Sequence, residues 1–261
     1  MVLTVDDVTL EFEGLRALSD VSFGVDEGAL TALVGPNGAG KTSLLNCVSG
    51  FYAPTRGAIS FRGRRISGES PHRVAGYGIA RVFQFIELFR HLTVLDNILL
   101  GRHRHMRSGI LAGSLFWGPS RREETRERRR VEEVIEFLEL ERYRKEPIAN
   151  LPFGVQKLVG VGRALAMEPA LLLLDEPSTG MNREEKENLA RFLLRIKHEL
   201  GTTMLWIEHD MELVGDLAER VVVLDFGQKI AEGRPESVLR DARVAEAYLG
   251  RGYDAQKGTE R

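Results

Sequence analysis

The stretch Gly35-Pro36-Asn37-Gly38-Ala39-Gly40-Lys41-Thr42 constrains this chain more than any other. It has the spacing G-x-x-x-x-G-K-[ST], and its flanks are of the right kind. Ala29-Leu30-Thr31-Ala32-Leu33-Val34 reads as a short buried strand, and Ser43-Leu44-Leu45-Asn46-Cys47-Val48 reads as a helix. Strand, glycine loop and helix together can hold a phosphate. The glycines let the backbone approach an anion and aim its N–H groups inward, and the helix N-terminus adds partial positive charge. Lys41 is then expected on the β- and γ-phosphates of a nucleotide and the Thr42 hydroxyl on Mg²⁺, with Ser43 next to it in the same cradle.

Composition sets few limits beyond this. At 261 residues, with 43% hydrophobic and 28% charged, the chain has the make-up of a soluble globular protein with a full core. A formal net charge of −2 gives no global pull toward nucleic acid or anionic lipid. One cysteine, Cys47, excludes an internal disulfide and suits a reducing compartment. No apolar run approaches the roughly 18 residues of a spanning helix. Met1 to Asp7 carries no signal-peptide pattern, so membrane association is expected to come through a partner.

In chain order, residues 2–12 alternate as a half-buried strand, Glu13-Gly14 makes a turn, and Ala17 to Val25 reads as the return strand. This pair is placed to carry Phe12 to an adenine ring, although a plain core role for Phe12 stays open. Ile79 to Gln84 is a strand ending on an amide, within reach of Mg²⁺ or an attacking water. Thr93 is expected to cap a helix through Leu100, and Arg121 to Leu140 reads as a long helix. Its run Arg121 to Arg130 mixes arginine with glutamate at helical spacing, which predicts a solvated, ion-paired face rather than a nucleic-acid patch. The long connection 101–120 holds Ile110 to Trp117, an apolar stretch suited to docking, and two histidines, His103 and His105, read as solvated.

The second half supplies acids. Leu171-Leu172-Leu173-Leu174 is a buried strand that runs into Asp175-Glu176. Beside a phosphate loop, Asp175 is expected to hold Mg²⁺ through water and Glu176 to polarise the attacking water. After the strand Thr202 to Ile207 comes His209, placed to touch the γ-phosphate. Leu151-Pro152-Phe153-Gly154-Val155-Gln156 opens another helix, reaching about Met167.

This ordered set resembles the nucleotide-binding subunits of ATP-binding cassette (ABC) transporters over about residues 2–250. The resemblance implies an α/β fold: a P-loop NTPase (RecA-like) core at about 2–84 and 161–235, with an antiparallel β subdomain and an inserted α-helical subdomain at about 85–160. Short C-terminal helices and a polar tail fill 236–261. It also implies ATP and Mg²⁺ as ligands, with Thr42, Gln84 and Asp175 around the metal, and two subunits meeting head to tail. Each ATP would then lie between the phosphate loop of one subunit and Leu151, Pro152, Phe153, Gly154 and Val155 of the other. Further stretches, such as Ala80-Arg81-Val82-Phe83-Gln84 and Ala245 to Gly250, resemble the ATPase subunits of branched-chain amino acid importers. The partners implied are integral membrane permease subunits, a second ATPase subunit, and indirectly an extracytoplasmic solute-binding protein, with no nucleic acid. The expected place is the cytoplasmic face of the inner membrane, with Phe85 to Leu100 and the insert receiving the permease.

Two departures stand out. The family segment Leu-Ser-Gly-Gly-Gln reads here Leu151-Pro152-Phe153-Gly154-Val155, and proline offers neither hydroxyl nor N–H. The helix N-terminus and the Gly154 N–H are still expected to face the anion. Asn182 stands where many relatives have aspartate. ATP binding with slow turnover by the isolated subunit is the expectation. A soluble ABC ATPase unconnected with transport, and a regulatory subunit that holds ATP with little hydrolysis, remain alternatives.

Overall fold

The computed structural model describes residues 1–85, 87–103 and 119–248. The apolar stretch Ile110 to Trp117, His105 and the polar tail lie outside the described residues, as do the side chains of Arg121, Arg122 and Glu123.

Two sheets build the molecule. The larger has the strand order β10-β9-β3-β8-β7-β6: β3 is Leu30–Val34, β6 Ile79–Val82, β7 Leu171–Asp175, β8 Thr203–Ile207, β9 Arg220–Asp225 and β10 Gln228–Gly233. Neighbours from β9 to β6 run parallel, and β10 closes the edge as an antiparallel hairpin on β9. Every residue of β3, β7 and β8 is buried. That burial explains the continuous apolar runs, since a parallel sheet is covered on both faces. Successive side chains go to opposite sides. Leu172, Leu174, Met204 and Trp206 join one core, while Leu171, Leu173, Leu205 and Ile207 join another.

The second core is closed by the smaller sheet, order β2-β1-β4-β5, antiparallel throughout. Its strands are β1 Leu3–Phe12, β2 Leu15–Val25, β4 Arg56–Phe61 and β5 Arg64–Arg65. Helix α1, Lys41–Val48, lies in this second core and buries Leu44, Leu45, Cys47 and Val48. Burial pushes the Cys47 thiol up to about 12, so it is an inert packing group. A short helix α2, Pro71–Gly76, precedes β6.

Helices cover the first core: α3 Val94–Leu100, α4 Pro119–Phe137, α5 Phe153–Leu165, α6 Arg183–Leu200, α7 Met211–Leu217 and α8 Pro235–Val238, with a further helical stretch at 242–248. Thr93 caps α3 in a capping box with Asp96, as the sequence predicts. The charged run on α4 differs from the expectation. Its Glu127 is 1% exposed and bonds Arg102, itself buried, at 2.6 Å. Burial pushes the Glu127 carboxyl up, but hydrogen bonds from Arg102 and Arg126 outweigh it and hold it below the usual range. Spacing alone did not reveal this, because the partner lies on another segment. The remaining described pairs on α4, such as Arg128 with Glu124 and Arg130 with Glu133, are solvated as expected.

Parallel topology places the C-terminal ends of β3, β6, β7 and β8 at one edge of the sheet. The segments after them carry the phosphate loop, Gln84, Glu176 and His209, respectively.

Candidate functional site

The loop after β3 needs glycine at two positions. Gly35 has φ +148°, and a Cβ there would stand 2.1 Å from the Leu224 carbonyl oxygen. Gly40, the N-cap of α1, has φ +99°, and a Cβ would meet the Ala17 carbonyl at 2.8 Å. The loop thereby opens onto a cavity of about 400 Å³, lined by Asn37 to Ser43 together with Leu15, Arg16, Ala17, Glu176, Phe226 and Gly227. The first turn of α1 holds no acidic residue. Buried Lys41 folds back over the loop, its Nζ donating to the carbonyls of Gly35 at 2.7 Å and Pro36 at 3.0 Å. A cationic amine beside a helix N-terminus and an open hollow is a site built for an anion.

Glu176 follows β7 with φ +44°, a left-handed conformation that is costly for a side chain of this kind and that clusters at functional sites. Its Oε1 lies 2.6 Å from His209 Nε2. Its Oε2 accepts from Gln84 Nε2 at 2.6 Å and from Thr179 Oγ1 at 3.2 Å. Three residues expected from sequence to act together are thus in direct contact, at the rim of the loop cavity. Asp175, one residue earlier, is buried and ion-paired with Arg81 at 2.7 Å. Lys157 of α5 donates to the Gln84 carbonyl at 2.6 Å. Burial pushes its ammonium below the usual lysine value, opposed by the pull of Glu176, Glu208 and Asp175.

The structure does not bring the segment 151–155 to the loop cavity of the same chain. Pro152 is the N-cap of α5, with no side-chain cap of its own. The Gly154 N–H, expected to face a bound anion, instead donates to Glu185 Oε1 at 3.0 Å. The other oxygen of Glu185 accepts from Asn182 N at 3.0 Å, and Asn182 Oδ1 in turn accepts from Glu185 N at 2.9 Å. One carboxylate therefore serves the N-termini of both α5 and α6. The physical reason is that proline cannot supply the cap, so the orphan amide finds the nearest acceptor. Leu151 is buried, Val155 packs partly buried against the core, and Phe153 is 43% exposed with Lys157 over its ring.

Phe12 closes β1 and is 40% exposed, its ring edge-on to Tyr52 at 5.1 Å, so it is no core residue. It does not line the loop cavity, whereas Leu15 and Arg16 across the hairpin do. Sequence reading missed those two, the β9–β10 turn at Phe226-Gly227, and Arg81, Lys157 and Glu185. Two had a visible signal. Arg81 interrupts an apolar strand, and Lys157 falls on an apolar helix face.

Among the described residues no group of three His, Cys, Asp or Glu could hold a metal ion alone. The available donors, the Thr42 hydroxyl, the Gln84 amide and the Asp175 carboxylate, are hard oxygens. They fit Mg²⁺, which takes much of its shell from phosphate and water.

A family model described as "ABC transporter" matches residues 18–179, and one described as "Branched-chain amino acid ATP-binding cassette transporter" matches residues 228–254. The chain is 36% identical over 250 residues to the high-affinity branched-chain amino acid transport ATP-binding protein BraF of Pseudomonas aeruginosa, covering 95% of this chain and 98% of that protein. It is 34% identical over 249 residues to LivG of Escherichia coli, with the same coverage of each chain. The crystal structure of an ABC-transporter cassette in its ADP conformation superposes with a TM-score of 0.83 at 32% identity, covering 95% of this chain and 98% of that one. A dimeric cassette in a post-hydrolysis state with ADP and Pi gives 0.74 at 25% identity, covering 89% and 98%. The chain belongs to the ABC transporter family, as one of its ATP-binding cassettes.

Proposed function

We propose that this chain hydrolyses ATP to drive import of a small polar solute through separate membrane subunits. Branched-chain or other amino acids are the favoured solute class, with amides and urea next. The names of BraF and LivG support the solute class. The observation that carries the hydrolytic reading is the Glu176 carboxylate, clamped by Gln84, Thr179 and His209 at the rim of the loop cavity.

In this reading the loop amides and Lys41 hold the phosphates, with Gly35 to Ser43 forming the cradle. Phe12 stands at the adenine end. Thr42, Gln84 and Asp175 would hold Mg²⁺, which when bound neutralises charge on the phosphates. Water adds to the γ-phosphorus, the bond to the ADP oxygen breaks, and the water's proton passes toward Glu176. His209, donating from one ring nitrogen, orients Glu176 and stabilises the outer phosphate oxygens. Two cassettes close on ATP, with 151–155 of each facing the nucleotide of the other. A helical subdomain at about 85–160 docks on the permease at the inner membrane's cytoplasmic face, and a solute-binding protein delivers cargo outside. No helix among the described residues is long and apolar enough to cross a membrane, which accords with separate membrane subunits.

A second reading, a cassette that holds ATP with little turnover, is favoured by Pro152 and by the carboxylate of Glu185 on the Gly154 amide. Single-turnover hydrolysis separates the two. Glu176→Gln is expected to lower the rate by about 10²- to 10⁴-fold while ATP binding is retained. Equal rates for wild type and variant would favour the second reading.

A further inference from the structure

Arg81 has no part in the chemistry above, yet three side chains hold it beside the site. It sits on β6 between two buried apolar residues, beside β7 in parallel register with Leu173. Its side chain is 7% exposed and that of its partner Asp175 is 5% exposed. One guanidinium nitrogen, Nη1, donates to Asn46 Oδ1 at 2.7 Å and to Ser49 Oγ at 3.0 Å. The other, Nη2, donates to Asp175 Oδ2 at 2.7 Å. The guanidinium carbon lies 4.7 Å from the centroid of Phe83 and 5.9 Å from that of Phe51, two rings that meet edge-on. Ser49 spends its own proton on the Leu45 carbonyl at 2.6 Å, which leaves its oxygen as an acceptor for Arg81.

These partners belong to two elements with one task. Asn46 lies in α1, the helix whose second residue is Thr42, and Ser49 is that helix's C-cap. Asp175 ends β7. Thr42 and Asp175 are two of the three metal-facing groups, and they come from different parts of the chain. A planar, five-donor fork can bridge them with fixed angles, which a lysine cannot do. Because Nη2 takes Oδ2, the carboxylate keeps one rotamer. Among the described residues Oδ1 carries no hydrogen bond and is left for a metal-bound water.

We propose that Arg81 is a positioning residue for the metal site: it struts α1 against the end of β7, so that Thr42 and Asp175 stand at a set separation before Mg²⁺·ATP arrives. This rests on the reading of Thr42 and Asp175 as metal-facing, and it extends that reading to a residue that touches neither metal nor nucleotide.

The test uses Mn²⁺ as the probe, with its binding followed by electron paramagnetic resonance in the presence of ATP, and fluorescent ATP binding in EDTA as the parallel measurement. Arg81→Met is expected to weaken Mn²⁺ binding about tenfold, as loss of an outer-shell partner does, and to leave metal-free ATP binding within about twofold. Arg81→Lys is expected to recover little, because it restores the charge without the bridge. Asn46→Ala, which keeps the Asp175 pair and removes one of the two contacts at the α1 end of the strut, is expected to shift Mn²⁺ binding the same way by less, and it covers the case in which Arg81→Met does not fold. Unchanged Mn²⁺ affinity in Arg81→Met would overturn the proposal. So would full recovery by lysine, or an equal loss of metal-free ATP binding, which marks a merely structural residue. If the wild-type chain binds no Mn²⁺ with ATP, the underlying reading of the site falls first, and that result does not depend on the variants.

Discussion

Two helix N-termini in this chain are built from opposite solutions to the same problem. Each leaves backbone N–H groups without partners. At α1 the N-cap is a left-handed glycine without a side chain, no acid stands in the first turn, and the amides face a hollow beside Lys41. At α5 the N-cap is a proline, and the first-turn amide of Gly154 is taken by Glu185 from α6. The first end keeps its positive field open, and the second has it cancelled from within the chain. A helix terminus therefore becomes an anion site only when nothing nearer claims its donors.

The largest effect should come from closing the open end. Lys41→Met removes the cation and its charge-assisted bonds to phosphate, worth about 1.5–3 kcal/mol. ATP affinity should fall by roughly 10- to 100-fold in equilibrium titration, with an unchanged far-ultraviolet circular dichroism spectrum. A variant that binds ATP as wild type does would remove the contrast, since α1 would then owe nothing to its lysine.

Opening the closed end should give a smaller effect of opposite sign. Pro152→Ser supplies a hydroxyl that caps α5 itself. The Gly154 amide no longer depends on Glu185, and the serine can reach a phosphate. Steady-state turnover should rise by up to about tenfold, the size of one such bond. Turnover that stays flat would mean that the carboxylate of Glu185, and not the missing hydroxyl, sets the rate.

Glu185→Ala sharpens the point at the level of stability. It removes the shared acceptor and the capping box on α6, which together are worth about 1–2 kcal/mol. For a chain of this size that is a melting temperature lower by roughly 2–8 °C. In combination with Pro152→Ser the loss should be less than the sum, because α5 then has its own cap.

The open end was legible in sequence and the closed one was not, for a physical reason. The phosphate loop is local: eight consecutive residues between a strand and a helix fix its own dihedral angles. Likewise Gln84, Glu176 and His209 each follow closely on a parallel strand of the larger sheet, so their meeting follows from topology once the strands are read. Glu185 meets Gly154 from 31 residues away, and Arg81 meets Asp175 from 94. Arg102 finds Glu127 between two segments that no periodicity links. Side chains that satisfy a neighbour's orphan group carry no pattern of their own. Phe12 shows the same limit from another side: its strand was plain, but which of Phe12, Leu15 and Arg16 borders the cavity depends on the hairpin's exact pairing.

A third N-terminus, that of α7, provides the finest test. Here the chain uses an ordinary cap: Asp210 Oδ1 accepts from Leu213 N, and Oδ2 accepts from Lys186 at 2.8 Å. The lysine bond is the chief reason that the Asp210 carboxyl lies below its usual value. A depressed carboxyl contributes stability that is fully present above the unfolded aspartate pKa of about 3.9 and is lost as pH falls through the lower folded value. Asp210→Asn keeps a capping oxygen and removes only the charge, so its cost should be small, about 0.5 kcal/mol. Melting temperatures of the two proteins should differ by roughly 1–2 °C from pH 8 to pH 5 and converge toward pH 3. The difference should also shrink in 1 M salt, which screens this half-buried pair but does not alter a neutral cap. A gap that persists at pH 3 would mean that the carboxylate acts through shape and hydrogen bonding alone. The three termini would then differ only in which donor they satisfy, and not in the charge each presents.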